Sequence, residues 1–377
     1  MSLSVLLVAL GAPTAQAACD LVVEPGEDAQ AAVDCAEPGD TVTLAAGVHR
    51  QGLVVTTPDL VITGEGRGVT VLDGTGIRAH GIYVIAGGVT VQDLTVSNFR
   101  GNGVFWDGVD GFLAQRVDAI RNGPYGIYAI RSTNGAFLDS YAAGHADSGV
   151  YLGEVEHCNC LIDGIVSVDN LIGYSGTGAS DIEMRNSHWA RNAAGIVPNV
   201  LPGEPKPQLN LWIHHNVVED NNNETAGGRW HFSGIAHVPP GLGIVIAGGS
   251  MNRVEDNVVR NHGRAGIAVA WLFTEPSLNE VRDNALEDNA LDIIWDAGGV
   301  NNCFEGNHQI DGEPLTFDAG TVWNTAGFLP DCDTPNAGAP DARIMARLLS
   351  LVVFGCEPEQ QPGDPCHLEG VWEDGYP

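Results

Sequence analysis

A unit of about 23 residues recurs along this chain, and this repeat limits the fold more than any other sequence feature. Each unit opens with a glycine and a short apolar strand, and it closes with alternating apolar residues that end in an asparagine. Clear openings are GIYVIAG at 81, GVFWDG at 103, GIYAIRS at 126, GVYLGE at 149, GIVIAGG at 243 and GIAVAW at 266. Strands this short, closed by Asn and Gly turns, are spaced too tightly for a helical solenoid.

One repeat cannot bury its apolar face alone, but stacked coils pair parallel strands above and below and enclose a continuous core. The sequence therefore predicts an all-β fold, a right-handed parallel β-helix of roughly 10 to 12 coils. Its open ends need caps, and we expect a short helix at 27–33 and a second helix at 341–354. The predicted organisation is a signal peptide at 1–17, the β-helix at 18–310 and a C-terminal capping region at 311–377.

Asparagines recur at the predicted turns. Asn tolerates the left-handed backbone conformation and bonds to nearby backbone groups. We therefore interpret these residues as a stacked structural ladder, not as a functional set. They are Asn98, Asn122, Asn170, Asn192, Asn261 and Asn289.

The first residues have the pattern of an export signal. An apolar run from Leu3 to Leu10 is followed by Ala15-Gln16-Ala17, which matches the A-x-A rule of signal-peptidase cleavage. The run is too short to span a bilayer. We expect a secreted, periplasmic or cell-surface protein, and Gln16 disfavours a lipid anchor at Cys19.

The formal net charge of −31 and the pI near 4.4 exclude long-range attraction to nucleic acid or to anionic membranes. The same charge repels polyanionic sugars unless calcium or a local basic groove intervenes. Alternatively, the acidic charge only keeps an exported protein soluble. We expect a monomer with no nucleic-acid partner and no membrane span.

Eight cysteines form four sequence-local pairs, and an even number in an exported chain predicts disulfides. The terminal pairs would staple the two ends of the domain. The central pair favours a local disulfide or two buried thiols over redox activity or soft-metal binding. The pairs are Cys19 with Cys35, Cys158 with Cys160, Cys303 with Cys332, and Cys356 with Cys366.

One strand face is expected to carry an aromatic stripe. In a coil that begins Gly-Ile-Tyr-Val, the residue after Gly points into the core and the next points outward. This pattern places Tyr83, Phe105, Tyr128 and Tyr151 outward in one register on four successive coils. Such a stripe can stack sugar rings, and it can equally cover the sheet without any ligand.

Polar residues near the stripe are the candidates for chemistry. Carboxylates paired across coils would suit acid and base catalysis of glycoside cleavage, or calcium; otherwise no cofactor is predicted. Each residue alone is more typical of a solvated turn, so catalysis requires at least two to converge beside the stripe. The catalytic candidates are Asp107, Tyr128, Arg131, His145 and Glu154. The substrate-binding candidates are Tyr83, Phe105, Tyr128, Tyr151, Asp110 and Asp147.

A second polar cluster lies in the long insertion at 202–240, which could overhang a groove. Its histidines match no metal-ligand spacing, so no metal site is predicted. The cluster comprises His214, His215, Glu219, Asp220, His231 and His237.

The Gly-Ile-Tyr and Asp-Asn repeats, with PGDTVTLAAGVHRQG at 38–52, resemble the pectate-lyase-like family of right-handed β-helix proteins over about residues 20–310. The blocks YGIYAIRS at 125 and GHADSGVYLGE at 144 resemble exported bacterial members without a settled activity. Mannuronan epimerases on this scaffold carry Tyr-Gly-Ile-Asp-Pro-His, and the aligned Asp and His positions here hold Tyr128 and Ile130. Gly144-His145-Ala146 is only a fragment of the polygalacturonase pattern. Tyr128 would serve as an acid or base only if a neighbour lowered its pKa.

These observations favour an exported protein that binds a poly- or oligosaccharide along the aromatic face. A polysaccharide lyase, an epimerase or a glycosidase is the first alternative, and convergent catalytic candidates would favour it. A structural or adhesive surface protein is the second alternative. Aromatic residues buried beneath the insertion at 202–240 would favour that one.

Overall fold

A computed structural model shows a parallel β-helix in which each coil crosses three strand faces. It describes residues 19–201, 203–225, 238–271, 274–296, 298–316 and 329–333. Strands of successive coils pair in parallel on every face, as Val104–Asp107 pairs with Ile127–Ile130. The stack contains about 12 turns. The predicted all-β right-handed β-helix is confirmed.

The faces are numbered in the order in which the chain crosses them. Face 1 contains Val22–Val23, Thr41–Leu44, Val61–Thr63, Thr133–Leu138, Cys160–Asp163, Ser180–Arg185, Leu209–His214, Arg253–Glu255, Glu280–Arg282 and Cys303–Glu305. Face 2 contains Gly47–His49, Thr70–Asp73, Tyr141–Ala143, Val166–Val168, His188–Ala190, Val217–Glu219, Val258–Arg260, Ala285–Glu287 and His308–Gln309. Face 3 contains Leu53–Val55, Ile82–Val84, Val104–Asp107, Ile127–Ile130, Ser148–Gly153, Ile172–Thr177, Ala194–Asn199, Leu242–Ala247, Ala265–Ala270 and Ile293–Trp295. Val89–Ser97 and Asp110–Ile120 run through the corner between faces 1 and 2 and belong to both.

The hydrophobic core lies inside the coils, because alternate residues of each strand point inward. On face 3, Val104, Ile127 and Val150 stand in one register and are fully buried. Trp106 and Trp189 are the largest fully buried side chains. Each such apolar side chain contributes about 1.5 to 3 kcal/mol through removal from water.

The one helix among the described residues, Ala29–Cys35, covers the first coil. Asp28 caps its start, since its carboxylate accepts hydrogen bonds from the backbone N–H groups of Gln30 and Ala31. The helix packs Ala29 and Val33 against the core. The prediction of an N-terminal capping helix is confirmed, with bounds two residues later than expected because Asp28 is the cap.

Columns of buried asparagines close the corners of the coils. Each column has one residue per coil, which we call a rung. Between faces 1 and 2, the Oδ1 atoms of Asn257, Asn284 and Asn307 each accept a hydrogen bond from the backbone N–H of the preceding rung at 3.0–3.1 Å. The Nδ2 of Asn257 also donates to the carbonyl of Ile213 at 2.9 Å. The same arrangement joins Asn252, Asn279 and Asn302 between faces 3 and 1, and Asn170, Asn192 and Asn221 between faces 2 and 3.

The predicted ladder is confirmed for Asn122, Asn170, Asn192 and Asn289 and is wrong for the other two residues. Asn98 and Asn261 lie one residue before the rung, in left-handed backbone with φ of 59° and 58°. The rungs that follow them are Phe99 and His262. Asparagine suits both positions, which is why the sequence did not separate them.

The described residues contain three disulfides: Cys19–Cys35, Cys158–Cys160 and Cys303–Cys332, with Cα separations of 6.0, 5.1 and 4.8 Å. The first ties the leading segment to the capping helix. Cys158–Cys160 forms a local disulfide, which is one of the alternatives predicted for this pair. Both cysteines are buried, so redox partners cannot reach the bond. The third joins the last face 1 strand to the segment at 329–333.

Several predictions concern residues outside the described ranges. They are the signal peptide at 1–17, the helix at 341–354, His231, His237, Cys356 and Cys366. No helix among the described residues is long and apolar enough to cross a membrane.

We expect Asn257→Ala to lower the free energy of unfolding by about 3 kcal/mol, because it leaves buried backbone groups at one corner without partners. Urea titration followed by circular dichroism measures the change. The control is Asn222→Ala at another corner, where the hydrogen bonds that Asn222 makes to the backbone of Asn261 and Gly263 are exposed and water can replace them, so the cost should be only about 1 kcal/mol. Equal losses in the two variants would contradict a stabilising role for the buried column.

Candidate functional site

Face 3 presents an aromatic ladder, which consists of Tyr83, Phe105, Tyr128 and Tyr151. The four residues are direct Cα partners on adjacent strands, in the register that the repeat predicts. Ring centroids lie 4.9 Å apart between Tyr83 and Phe105 and 4.5 Å apart between Phe105 and Tyr128, with nearly parallel planes. Tyr151 ends the ladder edge-on, 4.9 Å from Tyr128.

The rings of Tyr83, Phe105 and Tyr128 face one another. Two nearly parallel rings with centroids 4.5 Å apart must overlap, because rings side by side in one plane would lie further apart. Tyr128 and Tyr151 are only 9% and 6% exposed, and Tyr125 packs against both. A ligand would therefore meet the ring edges of Tyr83 and Phe105, in contrast to the flat platform that the sequence suggested.

A charged edge, formed by Asp107, Arg131 and Glu154, lies beside the ladder where three successive face 3 strands end. Arg131 forms ion pairs with Asp107 of the preceding coil and with Glu154 of the following coil, the latter at 3.2 Å. The Tyr83 hydroxyl donates to Asp107 at 3.2 Å. The Arg131 side chain is 53% exposed. Three of the catalytic candidates thus meet next to the aromatic ladder.

Asp110 lies around the corner from this edge, at the start of Asp110–Ile120 on face 1. It accepts hydrogen bonds from Asn134 and from Thr133, the latter at 2.9 Å. These bonds hold the pKa of Asp110 below its usual range. Asp110 therefore borders the charged edge as an ionised hydrogen-bond acceptor.

Tyr128 is unsuited to act as a base. Burial raises its pKa, and the neighbouring Tyr151, Glu154 and Asp107 raise it further. The exposed guanidinium of Arg131 opposes this shift without reversing it. A phenol with a raised pKa stays protonated at neutral pH, whereas acid–base chemistry here would need a lowered one.

His145 lies in the interior, and the structure corrects its assignment as a catalytic candidate. It is a rung of the column between faces 2 and 3. Its backbone N–H donates to Asn170 Oδ1 at 2.9 Å, and its ring Nε2 lies 3.1 Å from the carbonyl oxygen of Ala119. The side chain is fully buried. Burial lowers the pKa of His145 to about 4, so it is neutral and inaccessible from face 3.

Asp147 is also remote from the charged edge. It precedes Ser148–Gly153, whereas Glu154 follows that strand, so the two carboxyl groups lie at opposite ends. The Ser148 hydroxyl donates to Asp147 at 2.7 Å. Burial raises the pKa of Asp147. Asp147 therefore does not share a site with Arg131.

Face 1 holds a groove that the sequence analysis missed. This Trp212 groove has a volume of about 510 Å³. The strand alternation already places its side chains outward, but a single outward tryptophan among polar residues does not repeat from coil to coil and gave no signal. Its main lining residues are His157, Asp181, Glu183, Asn210, Trp212 and Arg253.

The described members of the second polar cluster do not converge on one site. His214 lies on face 1, where its ring stacks on Trp212 with centroids 4.0 Å apart. Glu219 lies on face 2, 2.7 Å from His188 and 2.6 Å from Arg260. Within the described ranges, no group of three or more His, Cys, Asp or Glu side chains is placed to hold a metal ion.

No protein-family model and no curated protein matches the sequence, whereas solved structures share the fold. The A-module of the Azotobacter vinelandii mannuronan C-5 epimerase AlgE4 covers 75% of this chain and 84% of its own, with a TM-score of 0.56 and 18% identity. DFA-IIIase from Arthrobacter chlorophenolicus covers 74% and 88%, with a TM-score of 0.56 and 12% identity.

The catalytic unit of a GH87 α-1,3-glucanase from Streptomyces thermodiastaticus covers 83% of this chain and 69% of its own, with a TM-score of 0.50 and 14% identity. Sequence identity this low establishes a common fold and nothing finer. The common fold is the parallel β-helix described above.

We expect a double variant, His145→Asn with His262→Asn, to resist mild acid better than the wild type. Burial lowers the pKa of both histidines to about 4, while an unfolded histidine titrates near 6.5. Unfolding therefore takes up protons below the unfolded pKa, and stability falls as the pH drops from about 6.5 to 4. Between pH 7.5 and 5, the variant should lose roughly 2 kcal/mol less per histidine.

Urea titrations at the two pH values measure this difference. His308→Asn, which replaces an exposed histidine, is the control and should leave the pH dependence unchanged. An unchanged pH dependence in the double variant would contradict the burial of these two rungs.

Proposed function

We propose that this protein binds a neutral poly- or oligosaccharide along face 3, beside the aromatic ladder. The observation that carries the proposal is the convergence of Asp107, Arg131 and Glu154 on three successive coils next to the ladder. Coils repeat at about 4.8 Å, so hydrogen-bonding groups and ring edges form parallel rows on a rigid surface. A polymer of hydroxyl-bearing rings complements such rows better than a compact ligand does.

The charge of this surface favours neutral sugars. The charged edge has one guanidinium and two carboxylates, for a formal charge of −1. The whole chain has a formal charge of −31, which adds long-range repulsion of polyuronates. Hydroxyl groups of a neutral sugar can donate to the carboxylates and accept from Arg131, and such charge-assisted hydrogen bonds are among the stronger ones in proteins.

Catalysis on the same glycan is the second candidate, as a lyase, an epimerase or a glycosidase. Structures of the same fold include an enzyme named as an epimerase and one named as a glucanase, which favours this class. Acid–base chemistry needs a proton donor and a base of suitable pKa. Tyr128 has a raised pKa and His145 is buried, so neither residue can serve as the proton donor or as the base. Binding is therefore the simpler function for this face.

We also propose that the protein works as a monomer outside the cytoplasm, in a secreted, periplasmic or cell-surface location. Cys19–Cys35 and Cys303–Cys332 lie toward the two ends of the described β-helix. Structural disulfides form in oxidising compartments, which supports export. An exported glycan-binding rod would meet its polymer in the cell envelope or the medium.

We expect Arg131→Gln to weaken glycan binding about tenfold, which corresponds to roughly 1.4 kcal/mol, because it removes the cation that joins the two carboxylates. Isothermal titration calorimetry with glucan, mannan and galactan oligosaccharides, and with oligogalacturonate, measures the affinity. The matched control is Arg260→Gln, which removes an arginine on face 2 that is 44% exposed and also pairs with two carboxylates, Glu219 and Glu287. Its affinity should equal that of the wild type.

A wild-type chain that binds none of these glycans would contradict the proposal and favour a structural or adhesive surface protein. Equal losses in the two arginine variants would also contradict it. Mass spectrometry of the glycan after incubation tests the second candidate. Shortened, unsaturated or epimerised products would show catalysis, and an intact glycan would show binding alone.

A further inference from the structure

The Trp212 groove lies on a different face from the aromatic ladder. Its strands Ser180–Arg185, Leu209–His214 and Arg253–Glu255 are direct neighbours on face 1. Glu183 and Trp212 stand in one outward row with Arg253. A corner of the coil separates face 1 from face 3, and no residue of the charged edge is among those that line the groove.

Trp212 is held in a defined orientation as one wall of the groove. Its Nε1–H donates to Glu255 at 2.6 Å, and the His214 ring stacks on it with 20° between the planes. The guanidinium carbon of Arg253 lies 5.2 Å from the indole centroid. Trp212 nevertheless keeps 37% of its surface exposed, which leaves apolar area for a ligand.

Polar groups with fixed positions complete the lining. Asp181 accepts hydrogen bonds from Asn210 and from His157, whose Nδ1 lies 2.7 Å away. Burial alone would raise the pKa of Asp181, but these hydrogen bonds outweigh burial and hold the pKa below its usual range. Glu183 forms an ion pair with Arg185 at 2.6 Å. The groove therefore offers carboxylate acceptors beside the indole.

We infer that the Trp212 groove is a second saccharide-binding site and that its ligand is a neutral oligosaccharide. An indole wall contacts the apolar side of a sugar ring, while carboxylate, amide and guanidinium groups take its hydroxyls. Asp181 and Glu183 outnumber the one arginine in the lining, which disfavours an anionic ligand. The site is independent of the proposed function on face 3, since the two share no residue.

The test uses the full chain in an Arg131→Gln background, in which the proposed face 3 site is weakened about tenfold. Calorimetry measures the affinity for four neutral hexasaccharides: cellohexaose, laminarihexaose, maltohexaose and mannohexaose. Hexagalacturonate is the anionic ligand for comparison. Adding Trp212→Ala should weaken binding of the preferred neutral hexamer about tenfold. Adding Tyr141→Ala, a matched truncation of an outward aromatic residue on face 2, should leave the affinity unchanged.

Tryptophan fluorescence provides a readout that a purely structural role would not move. The preferred hexamer should shift the emission of the Arg131→Gln protein, and Trp212→Phe should abolish that shift while the thermal unfolding temperature stays the same. This variant decides the test if Trp212→Ala fails to fold.

In the Arg131→Gln background, three results would overturn the inference: binding that Trp212→Ala leaves unchanged, equal losses in the Trp212 and Tyr141 variants, or tighter binding of hexagalacturonate than of every neutral hexamer. A wild-type protein that binds a glycan and loses all binding in Arg131→Gln would overturn the second site alone. The proposed function of face 3 would then stand.

Discussion

The coils of this protein turn three corners, and buried backbone N–H groups at those corners find no partner within the strands. Columns of asparagine supply those partners, with serine at some corners: an Oδ1 or Oγ accepts the backbone N–H of the preceding coil, and most of the Nδ2 groups donate to a backbone carbonyl. An unsatisfied buried N–H would cost about 1 to 3 kcal/mol, and a β-helix repeats the problem in every coil. Where histidine replaces asparagine, as at His145 and His262, the rung keeps its place, although burial makes protonation unfavourable.

Fixed corners produce fixed faces. Because each strand aligns with its neighbours at a constant register, an outward residue on one coil lies directly beside its equivalents on the next. Face 3 uses this geometry to build the aromatic ladder and the charged edge. Face 1 uses it to set Trp212 between Glu183 and Arg253. Both surfaces are rigid rows that suit extended ligands.

Ion pairs between successive coils are common in this protein and are not in themselves a sign of function. Arg116 pairs with Asp93, and Arg185 pairs with Asp163, in the same way that Arg131 pairs with Asp107. Exposed pairs of this kind contribute about 0 to 1 kcal/mol to stability. The charged edge differs from these pairs in its position, because it adjoins the aromatic ladder, where the Tyr83 hydroxyl donates to Asp107.

The repeat by itself determined the β-helix, the approximate number of coils and the shared register of Tyr83, Phe105, Tyr128 and Tyr151, because alternation and coil spacing are properties of local sequence. Only the tertiary structure decided that the rings of Tyr83, Phe105 and Tyr128 stack on one another, that Arg131 reaches both Asp107 and Glu154, and that Trp212 forms one wall of a groove. It also placed His145 inside the coil, one residue past the left-handed corner position of Gly144. Such details depend on side-chain rotamers and on one-residue offsets at the corners, and a repeat of period 2 within strands encodes neither.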